Sequence, residues 1–561
     1  MGSDSPNLFV AAARKASETF DRARVTPEVS KFASTNRSFW ESYRSREGDG
    51  VVVVDATLEH PHYILSHSIL ANFIAEETDS SLLFVMSNRL GRKYRTVCKS
   101  FGDAEFVYYS DRKRHLRDRI RAYRDAGEIF EGINNGSELQ NVRYEGILVG
   151  DLVYNTYSRT ERVGTIDELD SSHFEYLYDT LLTKRFYDRV IESNDSEKIV
   201  LAHLFYAKTG LLGRVALDHD VEVMSRKLGP LEFASRRYRT LEDIKTETLR
   251  PTEDLFEYIW DEYRDEAVER GERELEKRMS GDSQKIGVSR AFTGDELSGN
   301  ELTQQYDLSD KPTVIIMSHT LPEHGGPDWL LFKDYLVWLR RTVQRAVQNT
   351  DVNWLVKPHP RYETLECKHD AIGNVESIID EFDNHTFSIL DTGLNTESLL
   401  GVADAAVTAR GSAGIEFPCF GIPCITAAKS KYSGFGFTHD PETKIEYFEY
   451  LDILPDVEPL STEQVERAKV MAYIQFGLLP VQSEMIPEMK TDNMDLDEDD
   501  IWRRAAMKIE DTAPQEDPLY SDLMRYIRND FTHLLNYGEI GLKDANNVPT
   551  TTELNAAEGN D

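Results

Sequence analysis

The chain has 561 residues, 40% of them hydrophobic, enough to bury the cores of two large α/β domains. Its 99 acidic residues outnumber 64 Lys and Arg, and the net charge of −35 is spread along the length, so the global field opposes nucleic acid and anionic lipid. Four cysteines exclude a disulfide framework and imply a reducing, cytoplasmic setting, while no secretory signal is expected and no apolar run reaches the ~18 residues of a membrane span.

No basic amphipathic helix stands out as a docking face, so membrane contact is expected to be peripheral at most, at the inner face. Cys419 and Cys424 lie in an apolar run and read as buried packing residues.

Val51-Val-Val-Val-Asp55 reads as a buried strand, a helix follows over about 66–77, and Ser81–Met86 is a second strand. Strand, helix and strand within ~35 residues open a parallel α/β sheet. The pattern recurs less cleanly through Tyr144–Tyr154, a helix over 173–192 and Lys198–Ala207. Residues 1–280 are therefore expected to form a first α/β lobe, ending in a charged helix over 253–279. The polar stretch 281–311 reads as a linker.

The second lobe, expected over 312–455, alternates more regularly. Thr313–Met317, Asn353–Lys357, Phe387–Leu390, Ala405–Thr408 and Pro423–Thr426 read as strands, with helices over 329–348, 397–400 and 412–420. A helical extension over 456–540, with a flexible insertion at 490–499, and a disordered tail over 541–561 complete the chain. The fold class is thus α/β, with two Rossmann-like, doubly wound lobes.

In such sheets ligands bind beyond the carboxyl ends of the strands. Three places qualify in the second lobe: Ser318-His319, Lys357-Pro-His359-Pro360-Arg361, and Ala409-Arg410-Gly411-Ser412. Gly411 would let the backbone turn tightly, Ser412 would cap a helix, and the helix start would offer N–H groups to a phosphate. His359 is held between Lys357 and Arg361 by two stiffening prolines, which suits a phosphate contact. Glu416, one turn after Ser412, could accept hydrogen bonds from ribose hydroxyls. Tyr432-Ser-Gly-Phe-Gly-Phe-Thr438 is a Gly-punctuated aromatic loop suited to closing over a base or sugar.

Trp354-Leu-Val-Lys-Pro-His-Pro, Thr408-Ala-Arg-Gly-Ser-Ala-Gly-Ile-Glu-Phe, Gly421-Ile-Pro and the Tyr432 loop with Glu446-Tyr447 resemble the capsule polysaccharide biosynthesis family over about residues 311–452. That family includes Kdo transferases of the two-lobed GT-B glycosyltransferase type. The resemblance implies a glycosyltransferase that takes a sugar from a nucleotide-activated donor, with CMP as one candidate carrier. The acceptor would be a glycan or lipid-linked glycan. Lys357, His359, Pro360, Arg361, Arg410, Gly411 and Ser412, with Ser318 and His319, would bind donor phosphate, and Glu416 the ribose.

Weaker echoes reach the first lobe in Gly150–Arg159, where the family tends to carry an acid at the position of Asn155. A base must then come from elsewhere, and Asp151 and Asp55, both read as lying near strand edges, are the candidates, with Glu59 third. No cofactor or metal is expected, since His60, His62 and His67 fit no closed metal spacing. The acid-rich, Arg-over-Lys balance looks like that of proteins from salt-loving microbes, and a halophilic archaeal source is expected. The alternatives are a nucleotide-sugar epimerase or isomerase of the same fold and a non-catalytic assembly subunit that binds nucleotide.

Overall fold

The structure, a computed structural model, describes residues 24–41, 43, 48, 50–227, 232–281, 291–323, 328–360, 374–382, 387–489 and 497–537. β1 (Val51–Ala56), β2 (Ser81–Met86) and β3 (Ala104–Tyr108) pair in parallel, with α1 (Pro61–Glu77) linking the first two. α1 starts earlier than the sequence suggests, because Pro61 suits a first helical position and the His60 ring accepts from the His62 amide. α2 (Leu116–Glu131) follows β3.

Tyr144–Tyr154 is not a strand. A short hairpin of β4 (Arg143–Tyr144) and β5 (Ile147–Leu148) leads at once into α3 (Gly150–Glu161), so Asp151 sits in the first turn of a helix. Gly150 is required there, because a Cβ would fall 1.8 Å from the Leu139 carbonyl oxygen. α4 (Ser171–Glu192), β6 (Ser196–Leu201), β7 (Glu222–Lys227) and the antiparallel β8 (Glu232–Tyr238) complete this run. The strand order reverses between β1 and β6.

α5 (Glu253–Met279) leads to the second lobe, with one non-helical residue, Tyr263, inside it. β9 (Thr313–Met317), β10 (Asn353–Lys357), β11 (Phe387–Ile389), β12 (Ala405–Thr408) and β13 (Cys424–Thr426) form an all-parallel sheet in the order β11-β10-β9-β12-β13. Strand order therefore reverses between β9 and β12, and the helix-covered central strands are buried on both faces. α6 (Tyr335–Ala346) begins later than expected because Asp334 caps it, its Oδ1 accepting from the Val337 amide at 2.7 Å. The expected helix over 412–420 is split into α7 (Ala413–Glu416) and a 3-10 turn at Pro418–Phe420.

The expected 281–311 linker is outside the described residues at 282–290, and beyond them it is part of the second lobe. Leu302 is fully buried there, and the Asn395 amide donates to the Asp295 carbonyl at 2.9 Å. The expected C-terminal extension is likewise no appendage. α8 (Thr462–Tyr473) packs along α5, whose Gly271 lets the backbones meet, since a Cβ would fall 2.0 Å from the Lys469 carbonyl oxygen. β14 (Val481–Gln482) pairs with β8 as the edge of the first sheet, and α9 (Pro518–Arg528) packs on α1. One hydrophobic core runs through β1, α1, α5, α8 and α9, so both ends of the described chain build the first lobe. Most of the insertion expected at 490–499, and the 541–561 tail, lie outside the described residues.

Candidate functional site

The second-lobe reversal holds a pocket of about 260 Å3. It is lined by the loops after β9, β10 and β12, where open parallel sheets take ligands. Ser318, His319, Lys357, Pro358, His359, Pro360, Gly411, Ser412 and Glu416 all line it, so most of the residues singled out in the sequence meet in one place. Arg361 lies outside the described residues.

The contacts separate these residues by what they have left to offer. Lys357 is buried, and its ammonium donates to the carbonyls of Asp391 (2.5 Å), Thr392 (3.1 Å) and Leu394 (2.8 Å). Its three protons are committed to pinning the loop after β11, so it has no donor free for a phosphate; burial lowers its pKa to about 8. Ser318 differs. Its amide donates to the Lys357 carbonyl at 3.0 Å, while its buried hydroxyl has no partner among the described residues. An orphan hydroxyl on a residue that lines a pocket is a candidate for completion by a ligand atom.

The His319 ring stacks on Tyr335 at 4.4 Å and 10°. Its Nε2 accepts from the Arg410 amide at 3.1 Å, which assigns the ring proton to Nδ1. Burial, and then the neighbouring His359 and Arg410 charges, hold His319 well below the usual histidine range, so it is a neutral donor.

The Gly411–Ser412 turn works differently from the sequence expectation. Ser412 has helical backbone angles and makes no side-chain cap. Gly411 is needed for space: a Cβ would fall 3.0 Å from Thr408 Oγ1. The Gly411 amide donates to that same oxygen at 3.2 Å, and its carbonyl accepts from the Tyr432 hydroxyl at 2.7 Å. The donors left over are the amides of Ser412 and Ala413, for which no acceptor exists among the described residues. Tyr432, Phe435 and Phe437 are buried, so the aromatic loop is a packed wall and not a lid.

Glu416 is buried and accepts from Arg278 Nε at 2.7 Å. Arg278 lines the pocket from the end of α5, a partner that sequence reading missed because 138 residues separate the pair. Arg410 does not line the pocket. Its guanidinium stacks on Trp329 at 4.0 Å and pairs across the lobes with Glu247, which also faces Lys227 at 3.5 Å. Burial alone would raise Glu247, but Arg410, Lys227 and Lys431 outweigh it and hold that carboxyl at about 2. The same interface carries Arg159–Glu323 at 2.7 Å, and the Trp329 ring edge-on to Phe205 at 5.1 Å.

In the first lobe, Asp151 is clamped by the fully buried Arg214 through two contacts of 2.6 Å, which fits a structural ion pair better than a base. Asp55, at the end of β1, is fully buried. Its Oδ1 accepts from the Thr57 amide (2.9 Å) and hydroxyl (2.6 Å), Oδ2 has no partner among the described residues, and burial raises its pKa. Glu59 is half-buried in the loop that follows. Asn155 is buried and donates to the Phe205 carbonyl at 3.1 Å. Among the described residues no three His, Cys, Asp or Glu converge as metal ligands, and no helix is long and apolar enough to cross a membrane.

Two α/β lobes with a donor-lined pocket at the second strand-order reversal define the class of this protein. No family model matches the chain, and no curated protein matches it. Solved structures similar to it include the β-Kdo 2,4-transferase KpsC of Thermosulfurimonas dismutans, at 14% identity and TM-score 0.33 over 57% of this chain and 93% of that one. A glycosyltransferase of Rickettsia africae ESF-5 aligns at 10% identity and TM-score 0.25 over 76% and 94%. A UDP-GlcNAc 2-epimerase of Neisseria meningitidis bound to UDP-GlcNAc aligns at 10% and 0.21 over 76% and 98%. The architecture itself stands on the strand order given above.

Proposed function

We propose that the protein is a glycosyltransferase moving a sugar from a nucleotide-activated donor to a glycan or lipid-linked acceptor, with the donor phosphate in the second-lobe pocket. One observation carries the reading: donors that protein atoms do not use converge beyond β9 and β12, namely the Ser318 hydroxyl and the Ser412 and Ala413 amides. His319 Nδ1–H and His359 stand beside them. Such a set suits a diphosphate or monophosphate that carries off charge as the anomeric bond breaks.

The other residues shape this site. Pro358 and Pro360 stiffen the loop, Lys357 fixes its neighbour, and Arg278 orients Glu416 toward a ribose. Asp55, with a spare oxygen and a raised pKa, is the better candidate base of the two aspartates. The lobes close the cleft and exclude water.

A thermal-shift panel of CMP, UDP, GDP, CDP and TDP on wild type and His359→Ala tests this. One nucleotide is expected to stabilise the wild type, by about 2.7 kcal/mol at a hundredfold excess over Kd, and the shift is lost in the variant. No shift, or a shift the variant keeps, rejects the site. Turnover of a sugar nucleotide without acceptor would instead mark an epimerase, and binding without turnover an assembly subunit.

A further inference from the structure

The geometry points to the outer face of α2 as a docking surface for an anionic lipid bilayer. This overturns the sequence expectation that no basic amphipathic helix is present. Leu116, Ile120 and Tyr123 are exposed at 63%, 62% and 58%, among the largest apolar exposures of the described residues. At about 100° per residue, their spacing places all three on one stripe. Ala122 and Ala126 are buried, and α2 packs on α4.

The first half of the stripe is flanked by basic residues. Residues 112–124 hold seven Lys or Arg and one acid, in a chain where acids exceed bases by 35; five of the seven pair with Asp111, Asp125, Glu128, Glu145 or Asp179, which leaves Arg117 and Arg119. Arg119 projects about 60° to one side of the stripe, and Arg117 and Arg124 about 80–100° to the other. Arg117 and Arg119 are exposed and have no ion-pair partner among the described residues. The one acid, Asp118, turns inward to Arg185 and Arg189. An apolar strip with unpaired arginines on both flanks matches the boundary between acyl chains and anionic headgroups. Duplex nucleic acid would take the arginines but leave Leu116 and Ile120 in water.

Position adds a reason. β1 Asp55 pairs with β2 Val85, and Val85 with β3 Val107. The basic turn after Tyr108 therefore lies at the same sheet edge as the first-lobe reversal, two strand spacings or about 10 Å away. A bilayer on α2 would meet the rim of the inter-lobe cleft, where a lipid-linked acceptor would enter. The docking stands independently of the donor site and needs no turnover to be tested.

The full-length protein is sedimented with vesicles of phosphatidylglycerol and phosphatidylcholine, or of phosphatidylcholine alone. Two variants accompany it, Leu116→Asn with Ile120→Asn and Arg117→Glu with Arg119→Glu. All four positions are exposed, and thermal melts check that the fold is kept. The wild type is expected to pellet with the anionic vesicles only, and each variant to lose at least about tenfold in partition, with added salt weakening the wild type. Wild type that ignores anionic vesicles, or variants that bind equally well, overturn the proposal. A Leu116/Ile120 variant that dissociates an oligomer in light scattering, with no vesicle binding by wild type, reassigns the face to self-association and overturns it too.

Discussion

At the β1/β6 reversal the donors are spent inside the lobe: Arg214 holds both oxygens of Asp151, Thr57 holds one oxygen of Asp55, and the Arg226 guanidinium lies 2.6 Å from the His62 ring, while Asp55 Oδ2 has no partner among the described residues. At the β9/β12 reversal the loops are equally tight, yet the Ser318 hydroxyl and the Ser412 and Ala413 amides are left over. The same topology thus serves two ends. The first edge leaves an acceptor oxygen over, and the second leaves donors over.

The largest effect that would test this contrast is at Arg214. Arg214→Ala strands a buried carboxylate and is expected to cost roughly 3–5 kcal/mol in denaturant unfolding, whereas Arg214→Met with Asp151→Leu recovers most of it. An Asp151→Asn protein with wild-type stability and no turnover would break the contrast, by making Asp151 chemical after all.

Next comes the seam between the two regions. Glu247 is held at about 2 against an ordinary 4.5. A depressed carboxyl stabilises the fold above its unfolded value, so stability on the order of 3 kcal/mol is lost as pH falls from about 4.5 towards 2. Glu247→Gln should flatten that part of the acid-unfolding curve.

Ser318→Ala sharpens the contrast directly. Removing an orphan hydroxyl leaves the unliganded melting temperature equal or higher, while nucleotide binding weakens by about 1.5–3 kcal/mol in calorimetry. The smallest expected change is at Tyr432→Phe, which frees the Gly411 carbonyl at about 0.5–1.5 kcal/mol. That measurement separates the cost of loosening the turn from the cost of losing a ligand contact.

The place of the second-lobe pocket was legible because buried parallel strands are short β-branched runs, and their ends can be read as Met317, Lys357 and Thr408. What each residue does there was not legible. Lys357 looks like a phosphate ligand until its three carbonyls are seen, and Arg410 looks like one until Glu247 meets it from the other lobe. In the first lobe, Gly150-Asp-Leu-Val-Tyr154 carries the same apolar residues as a strand, and only the hairpin before it turns it into a helix. The two residues of β14 are too few to leave a periodic signal.

The pairing of β14 with β8, and of α8 with α5, also sets an order of events during synthesis. The second sheet is complete once Thr426 has left the ribosome, while the first still lacks an edge strand and the helices that cover α1. The later-encoded lobe can thus finish folding while the earlier one waits for its last hundred residues. A stop codon placed after the second sheet would not release a shortened, folded protein. It would leave the first lobe's apolar face open to aggregation and proteolysis.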